Sequence, residues 1–112
     1  TNNDSNWRST VTDTGFIRSV EDRSRKAQAA EPLKPYNSPD KDLASTLKTF
    51  NAGRDSLTHF ADTTHNNLRA HVANLGFAKV DAYQIILLIS EHTNRHTQQL
   101  NEVNADSGFP KQ

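Results

Sequence analysis

A chain of 112 residues with no formal net charge can build one modest hydrophobic core, and it has no charge surplus to attract nucleic acid, anionic lipid or an acidic substrate. It contains no cysteine, which excludes disulfides, thiolate catalysis and sulfur-bound zinc and leaves histidine and carboxylate as metal ligands. Only 33% of its residues are hydrophobic, so we expect that part of the chain is poorly packed or that a partner completes the core.

Apolar runs are short throughout the chain. The longest, Ile85 to Ile89, falls far below the ~20 residues that a membrane-spanning helix needs, and the N-terminus lacks the charged-then-apolar pattern of a signal peptide. We therefore expect a cytoplasmic protein without a membrane segment. Because the chain does not begin with methionine, we also expect that it is an interior piece of a longer protein.

The first 38 residues are predicted to be irregular, with one possible short helix. Phe16, Ile17 and Val20 fall on one face of such a helix, which would run into residues 21–26. Between residues 29 and 39 three prolines remove backbone donors and favour extended geometry, which indicates a surface linker.

Two long helices are predicted after this segment, at about residues 39–63 and 82–104. Ser38-Pro39-Asp40 is typical of a helix start, and the first helix should bury one apolar stripe, which also contains Arg54. That stripe consists of Leu43, Leu47, Phe50, Leu57 and Ala61. Residues 66–80 indicate a helical turn followed by a loop. Asp81 can then cap the second helix in a capping box with Gln84.

Two histidines occupy the centre of the apolar stripe of the second helix. At about 100° per residue, the residues within about 60° of Ile85 are Leu88, Ile89, His92, His96, Gln99, Leu100 and Val103. One turn apart, His92 and His96 can face a common divalent metal; alternatively, they are core histidines satisfied by neighbouring polar groups. Gln99 could support a metal ligand from the second shell or simply end the stripe.

Other polar residues carry weaker signals. His59 should lie on the surface, whereas His65 or His71 could supply a third ligand, and Glu91 with Arg95 should form a solvated ion pair. Tyr83 and Leu87 lie away from the histidine face, which indicates a second packing surface on the helix. No phosphate-binding loop, nucleophile elbow or basic–aromatic patch occurs in the sequence.

The segments Asp81-Ala82-Tyr83-Gln84 and His92-Thr93-Asn94-Arg95-His96-Thr97-Gln98-Gln99-Leu100, with the tail Phe109-Pro110, resemble the last helix of the DinB-like superfamily. Residues 22–28 and 31–35 resemble the loop that precedes the third helix in some members. The resemblance implies a usually dimeric four-helix bundle that holds zinc, nickel or a similar divalent ion with three histidines. Two of these match His92 and His96, whereas the third family histidine belongs to the second bundle helix, and the first two bundle helices have no counterpart here.

The expected fold is therefore all-α: one incomplete domain over residues 1–112, in which residues 39–112 form half of a four-helix bundle. The expected function is that of a divalent-metal-dependent enzyme, either a thiol S-transferase using a small-thiol cosubstrate or a hydrolase. Its expected partners are a small-molecule substrate and either a second copy or the missing N-terminal helices, without nucleic acid or membrane. The alternative is a non-catalytic helical bundle or dimerisation protein whose histidine face is structural.

Overall fold

The structure, a computed structural model, describes residues 8–111 and is mostly helical, as predicted. Its helices and strands are α1 (Asp13–Glu21), α2 (Leu43–Thr63), β1 (Val72–Asn74), β2 (Lys79–Asp81) and α3 (Ala82–Ala105). Short 3-10 turns occur at Glu31–Leu33, Pro35–Asn37 and Leu68–Ala70. Residues 1–7 of the segment predicted to be irregular lie outside the described residues.

The chain forms two compact units. One unit comprises the residues up to Lys26 together with those from Asn67 onward, and it contains α1, both strands and α3. The other comprises Ala27–Asn66 and contains two 3-10 turns and α2. His92 and His96 therefore belong to the first unit.

The core of the first unit is small and lies between α1, the strands and the start of α3. Its buried apolar residues are Phe16, Val72 and Val80. The predicted short helix is thus present, with Phe16 on its buried face, but it ends at Glu21 and does not continue to residue 26. It ends there because Asp22 is extended and its side chain accepts a hydrogen bond from the Ser24 amide, which starts a turn.

A two-stranded antiparallel hairpin replaces the loop predicted before α3. Val72 pairs with Asp81 and Asn74 with Lys79, and the four-residue connection contains Gly76 at φ +87°, a left-handed conformation that glycine adopts at little cost. The Asn74 side chain accepts from the Gly76 amide at 2.9 Å and fixes the turn. Strands of three residues are too short to show a period of two in the sequence.

The capping box at the start of α3 is confirmed. The Asp81 carboxylate accepts from the Gln84 amide at 2.8 Å, and the Gln84 side chain accepts from the Asp81 amide at 3.2 Å. Gln84 is buried, and its side-chain amide also donates to the Val11 carbonyl at 2.9 Å and to Asp13 at 3.1 Å. The same glutamine therefore caps α3 and joins α3 to the start of α1 by hydrogen bonds. The helix ends at Ala105, one residue beyond the predicted end.

In the second unit, α2 begins at Leu43 and not at Pro39. The Asp42 carboxylate accepts from the Ser45 amide at 2.8 Å and is the actual cap, whereas the Ser38 hydroxyl accepts from Asp40 within a preceding turn. The predicted burial of one side of α2 is wrong within the described chain: α2 has no buried residue, and Leu43 is 73% exposed. Arg54 lies over the Phe50 ring, 4.9 Å from its centroid.

Across residues 8–111, no helix combines the length and the apolar character needed to cross a membrane.

Candidate metal site

Helix α3 places the two predicted ligands side by side. The ring centroids of His92 and His96 are 4.6 Å apart, with an angle of 39° between the ring planes. This spacing follows from the helix itself, because residues four apart lie one turn apart on the same face. The pair therefore forms a compact group of two imidazoles, as the sequence predicted.

The predicted burial of the pair is wrong, because both histidines are exposed. Leu100 and Val103, on the same stripe, are 70% and 49% exposed. The histidine stripe is exposed because α1 packs against a different side of α3. Contacts with α1 and the residues around it are made by Gln84, Asn94, Arg95 and Glu102. Gln84, Arg95 and Glu102 lie about 100° around the helix from the middle of the histidine stripe. The apolar periodicity correctly predicted that α3 has one packed face. It was wrong in assigning that face to the histidine stripe.

Gln99 orients His96. Its side-chain oxygen lies 3.1 Å from Nδ1 of His96, and both residues are on the exposed face. An amide oxygen only accepts, so this contact favours the neutral tautomer that has its proton on Nδ1 and its lone pair on Nε2. A histidine whose second nitrogen is fixed in this way is prepared to act as a metal ligand through Nε2. The predicted supporting role of Gln99 therefore has a geometric basis.

The pKa of His92 is lowered from its ordinary value. The largest cause is partial desolvation of the ring, followed by repulsion from the charges of His96 and Arg95. Both effects disfavour the imidazolium form and so favour the neutral ring, which can donate a lone pair to a metal.

The described part of the chain does not bring a third ligand to the two histidines. Among residues 8–111, no cluster of three or more histidine or carboxylate side chains could hold a metal ion. His71 precedes β1, where its carbonyl accepts from the Ala82 amide at 2.8 Å, and His65 belongs to the other unit. The donor set thus fits a divalent metal in type but supplies two of the three or four protein ligands that zinc sites use.

Arg95, in the turn between the histidines, does not form the ion pair predicted with Glu91. It donates to the backbone carbonyls of Val20, Asp22 and Arg25, at 3.1 Å to the first and 2.6 Å to the last. These bonds satisfy carbonyls at and beyond the end of α1, which have no partner within that helix. No local pattern in the sequence indicates these bonds, since they join residues at least 70 positions apart.

Glu91 lies beside His92 and shares a hydrogen-bonded cluster with α1. Asn94 donates to Glu91 at 2.8 Å and to Glu21 at 3.4 Å, which brings the two carboxyl groups together. The pKa of Glu21 is raised, chiefly because its carboxyl group hydrogen-bonds to Glu91. This acid pair is half-buried between α1 and α3, and among residues 8–111 it forms no metal-binding group with the histidine pair.

A second polar cluster surrounds Arg69, which the sequence interpretation missed. Its guanidinium binds both oxygens of Asp13, at 2.7 and 2.8 Å, reaches Asp81 at 3.1 Å and lies 4.0 Å from the Tyr83 ring centroid. A cleft of about 590 Å³ adjoins it, lined by Arg8, Ser9, Val11, Asp13, Asn67, Arg69, Ala70, Asp81 and Gln84. Because two carboxylates already neutralise the guanidinium, this cluster joins α1 to α3 and is not an anion site.

Comparison of the chain with protein-family models, with curated proteins and with solved structures finds no match in any of the three.

Proposed function

We propose that this chain binds a divalent metal ion, zinc or nickel, through His92 and His96 and serves a metal-dependent enzyme of the DinB-like kind, a thiol S-transferase or a hydrolase. The observation that carries the proposal is the paired, exposed imidazoles 4.6 Å apart, one of them oriented by Gln99. The reaction class rests on the resemblance of the helix sequence around them, and the four-helix bundle is part of the same proposal.

The residues of the chain have distinct roles in this proposal. His92 and His96 donate lone pairs, and Gln99 holds the His96 tautomer that leaves Nε2 unprotonated. The exposure of both rings leaves room for a substrate beside them. A divalent ion at this position supplies a Lewis acid that lowers the pKa of a bound water or thiol.

Metal binding is tested by titrating the purified chain with zinc chloride and with nickel chloride in an isothermal titration calorimeter. His92→Ala and His96→Ala should each abolish measurable binding, because one imidazole remains. His59→Ala, which removes an exposed histidine of α2, is the matched control and should bind as the unaltered chain does. Equal binding by all four proteins would refute the assignment of the ligands.

The role of Gln99 is tested separately from that of the histidines. Gln99→Ala should weaken zinc binding about tenfold, in the range found when the partner of a ligating histidine is removed. Gln98→Ala is the control, because Gln98 is the neighbouring exposed glutamine of the same helix. Equal affinities of the two variants would show that the Gln99–His96 bond does not prepare the ligand.

A second candidate function is non-catalytic: the histidine face is a packing surface of a helical bundle. The exposure of Leu100 and Val103 on that face favours it, because apolar side chains along one helix stripe are normally covered. In that case His92→Leu should bind its partner as well as the unaltered chain does, since no metal ligand is lost. Chelator should also leave the melting temperature unchanged.

A further inference from the structure

We infer that the cleft beside Arg69 is a binding site for a small uncharged ligand, the 6-oxopurine base of a nucleoside such as inosine or guanosine. The residues that line this cleft all belong to the first unit. Neither His92 nor His96 is among them, so nucleoside binding here is independent of the proposed metal binding.

The cleft has the size and the charge balance expected for a small neutral ligand. Its volume of about 590 Å³ lies within the ~300–1,000 Å³ of typical small-molecule sites. Its lining carries no net formal charge, since it contains two arginines and two aspartates: Arg8, Arg69, Asp13 and Asp81. An anion would meet the two carboxylates and a cation the two guanidinium groups, so an uncharged ligand is favoured.

The guanidinium of Arg69 is held in one plane at the edge of this cleft. Asp13 binds both terminal nitrogens, at 2.8 Å to Nη1 and 2.7 Å to Nη2, and Asp81 accepts from Nη1 at 3.1 Å. The Tyr83 ring centroid lies 4.0 Å from the guanidinium carbon. The side chain nevertheless stays 48% exposed, so a ligand can reach it. A donor group that is already fixed loses little conformational entropy on binding.

One edge of this guanidinium has donors left over. An arginine side chain carries five N–H groups, and the contacts with Asp13 and Asp81 engage three of them. The other two, Nε–H and the second N–H of Nη2, lie side by side and point in the same direction. Two parallel donors match two adjacent acceptors that lie in the plane of the guanidinium.

Asp13 places an acceptor next to this pair of donors. Within the described chain its Oδ2 atom accepts only from Nη2 of Arg69, so it can accept a second hydrogen bond. The order along the edge is therefore donor, donor, acceptor. The purine atoms N7, O6 and N1–H of a 6-oxopurine present the complementary order of acceptor, acceptor, donor. Adenine presents an amino group in place of O6 and opposes donor to donor.

NMR titration of the isotope-labelled chain with inosine and, separately, with adenosine tests the site. The two nucleosides share the same ribose and differ only in the hydrogen-bonding edge of the base. Inosine at millimolar concentrations should cause saturable shifts of the backbone amides of Asn67, Arg69 and Ala70. Adenosine should bind at least about fivefold more weakly, because a bidentate contact between arginine and a purine discriminates between bases by roughly 5- to 150-fold.

Two outcomes of this titration would overturn the inference. The absence of saturable shifts with inosine would show that the cleft is not a nucleoside site. Equal affinities for inosine and adenosine would show that the base edge is not recognised and would assign any binding to the shared ribose.

Two analogues of inosine test the individual contacts. In 7-deazainosine the N7 acceptor is replaced by a C–H group, and in 1-methylinosine the N1–H donor is blocked. Each analogue should bind at least about fivefold more weakly than inosine, since each leaves one polar group of the site without its partner. Unchanged affinity for both analogues would overturn the assigned order of contacts.

A matched pair of substitutions tests the role of Arg69. Arg69→Lys keeps the positive charge but removes the parallel donors, so it should lose measurable inosine binding. Arg18→Lys makes the same replacement at an exposed position of α1 and should bind as the unaltered chain does. Because Arg69 also joins α1 to α3, the melting temperature of each variant is measured first. Unchanged inosine binding by a folded Arg69→Lys variant would exclude the guanidinium as the recognition group.

Discussion

Removal of the buried Gln84 side chain should lower the stability of the first unit strongly. Replacing it with alanine removes three side-chain hydrogen bonds: the one accepted from the Asp81 amide and those donated to Val11 and Asp13. Because the Gln84 side chain is buried, the Asp81 amide is left without its partner in a site that water reaches poorly.

The expected cost follows from these bonds. At about 1 kcal/mol net for each hydrogen bond, Gln84→Ala should lower the free energy of unfolding by about 3 kcal/mol. For a chain of this size that corresponds to a fall in melting temperature of roughly 10 °C. The measurement is urea denaturation followed by circular dichroism, with the midpoint and slope determined for both proteins.

Two controls make the Gln84 prediction specific. Gln98→Ala removes an exposed glutamine from the same helix and should change stability by less than about 0.5 kcal/mol. Gln84→Glu keeps an acceptor for the Asp81 amide but loses both donors and places a second carboxylate beside Asp13, so it should be at least as damaging as alanine. Indistinguishable midpoints for the Gln84→Ala and Gln98→Ala variants would refute this account of the core.

Three further predictions concern the Arg69 cluster and the hairpin turn. Arg69→Met should cost about 1–2 kcal/mol in urea denaturation, a value discounted because the Asp13–Arg69 pair is partly exposed. The pKa of Asp13 is lowered, chiefly by its hydrogen bond from Arg69, so its contribution is present above its ordinary value of 3.8 and is lost as pH falls through the lower folded value. Asp13→Asn should therefore flatten the acid limb of the stability curve below about pH 4, and an unchanged limb would count against the pair. Gly76→Ala should destabilise by about 1 kcal/mol because φ is +87°, whereas Gly53→Ala, in α2 with open space around it, should stabilise by up to about 1 kcal/mol; the same sign for both would contradict the turn geometry.

Local signals in the sequence predicted the helices well. The Asp81–Gln84 capping box set the start of α3, and the predicted end of α2 near residue 63 agrees with the structure. The capping box acts over a few residues, where backbone donors and side-chain acceptors are fixed by chain geometry. The predicted start of α2 was wrong because Ser38 and Asp42 lie four positions apart and can both cap a helix. The sequence does not show which of the two does so.

Longer-range features could not be read from the sequence. Arg69 and Asp13 are 56 positions apart, and nothing in their local pattern pairs them. For the same reason the histidine stripe was placed in the interior: periodicity shows that a helix has an apolar face, but not which face α1 will cover. The pairing of His92 and His96 was predictable because it depends on helix geometry alone.

The position of Arg95 has a mechanical consequence for the histidine pair. Its guanidinium clasps carbonyls of Val20, Asp22 and Arg25 from the very turn of α3 that carries both rings. A rotation of that turn on ligand binding would move the guanidinium and strain its hydrogen bonds to the backbone segment that follows α1. The rate of amide hydrogen–deuterium exchange at residues 22–26 should therefore change when a ligand binds the two histidine rings. This measurement needs no probe attached near the rings.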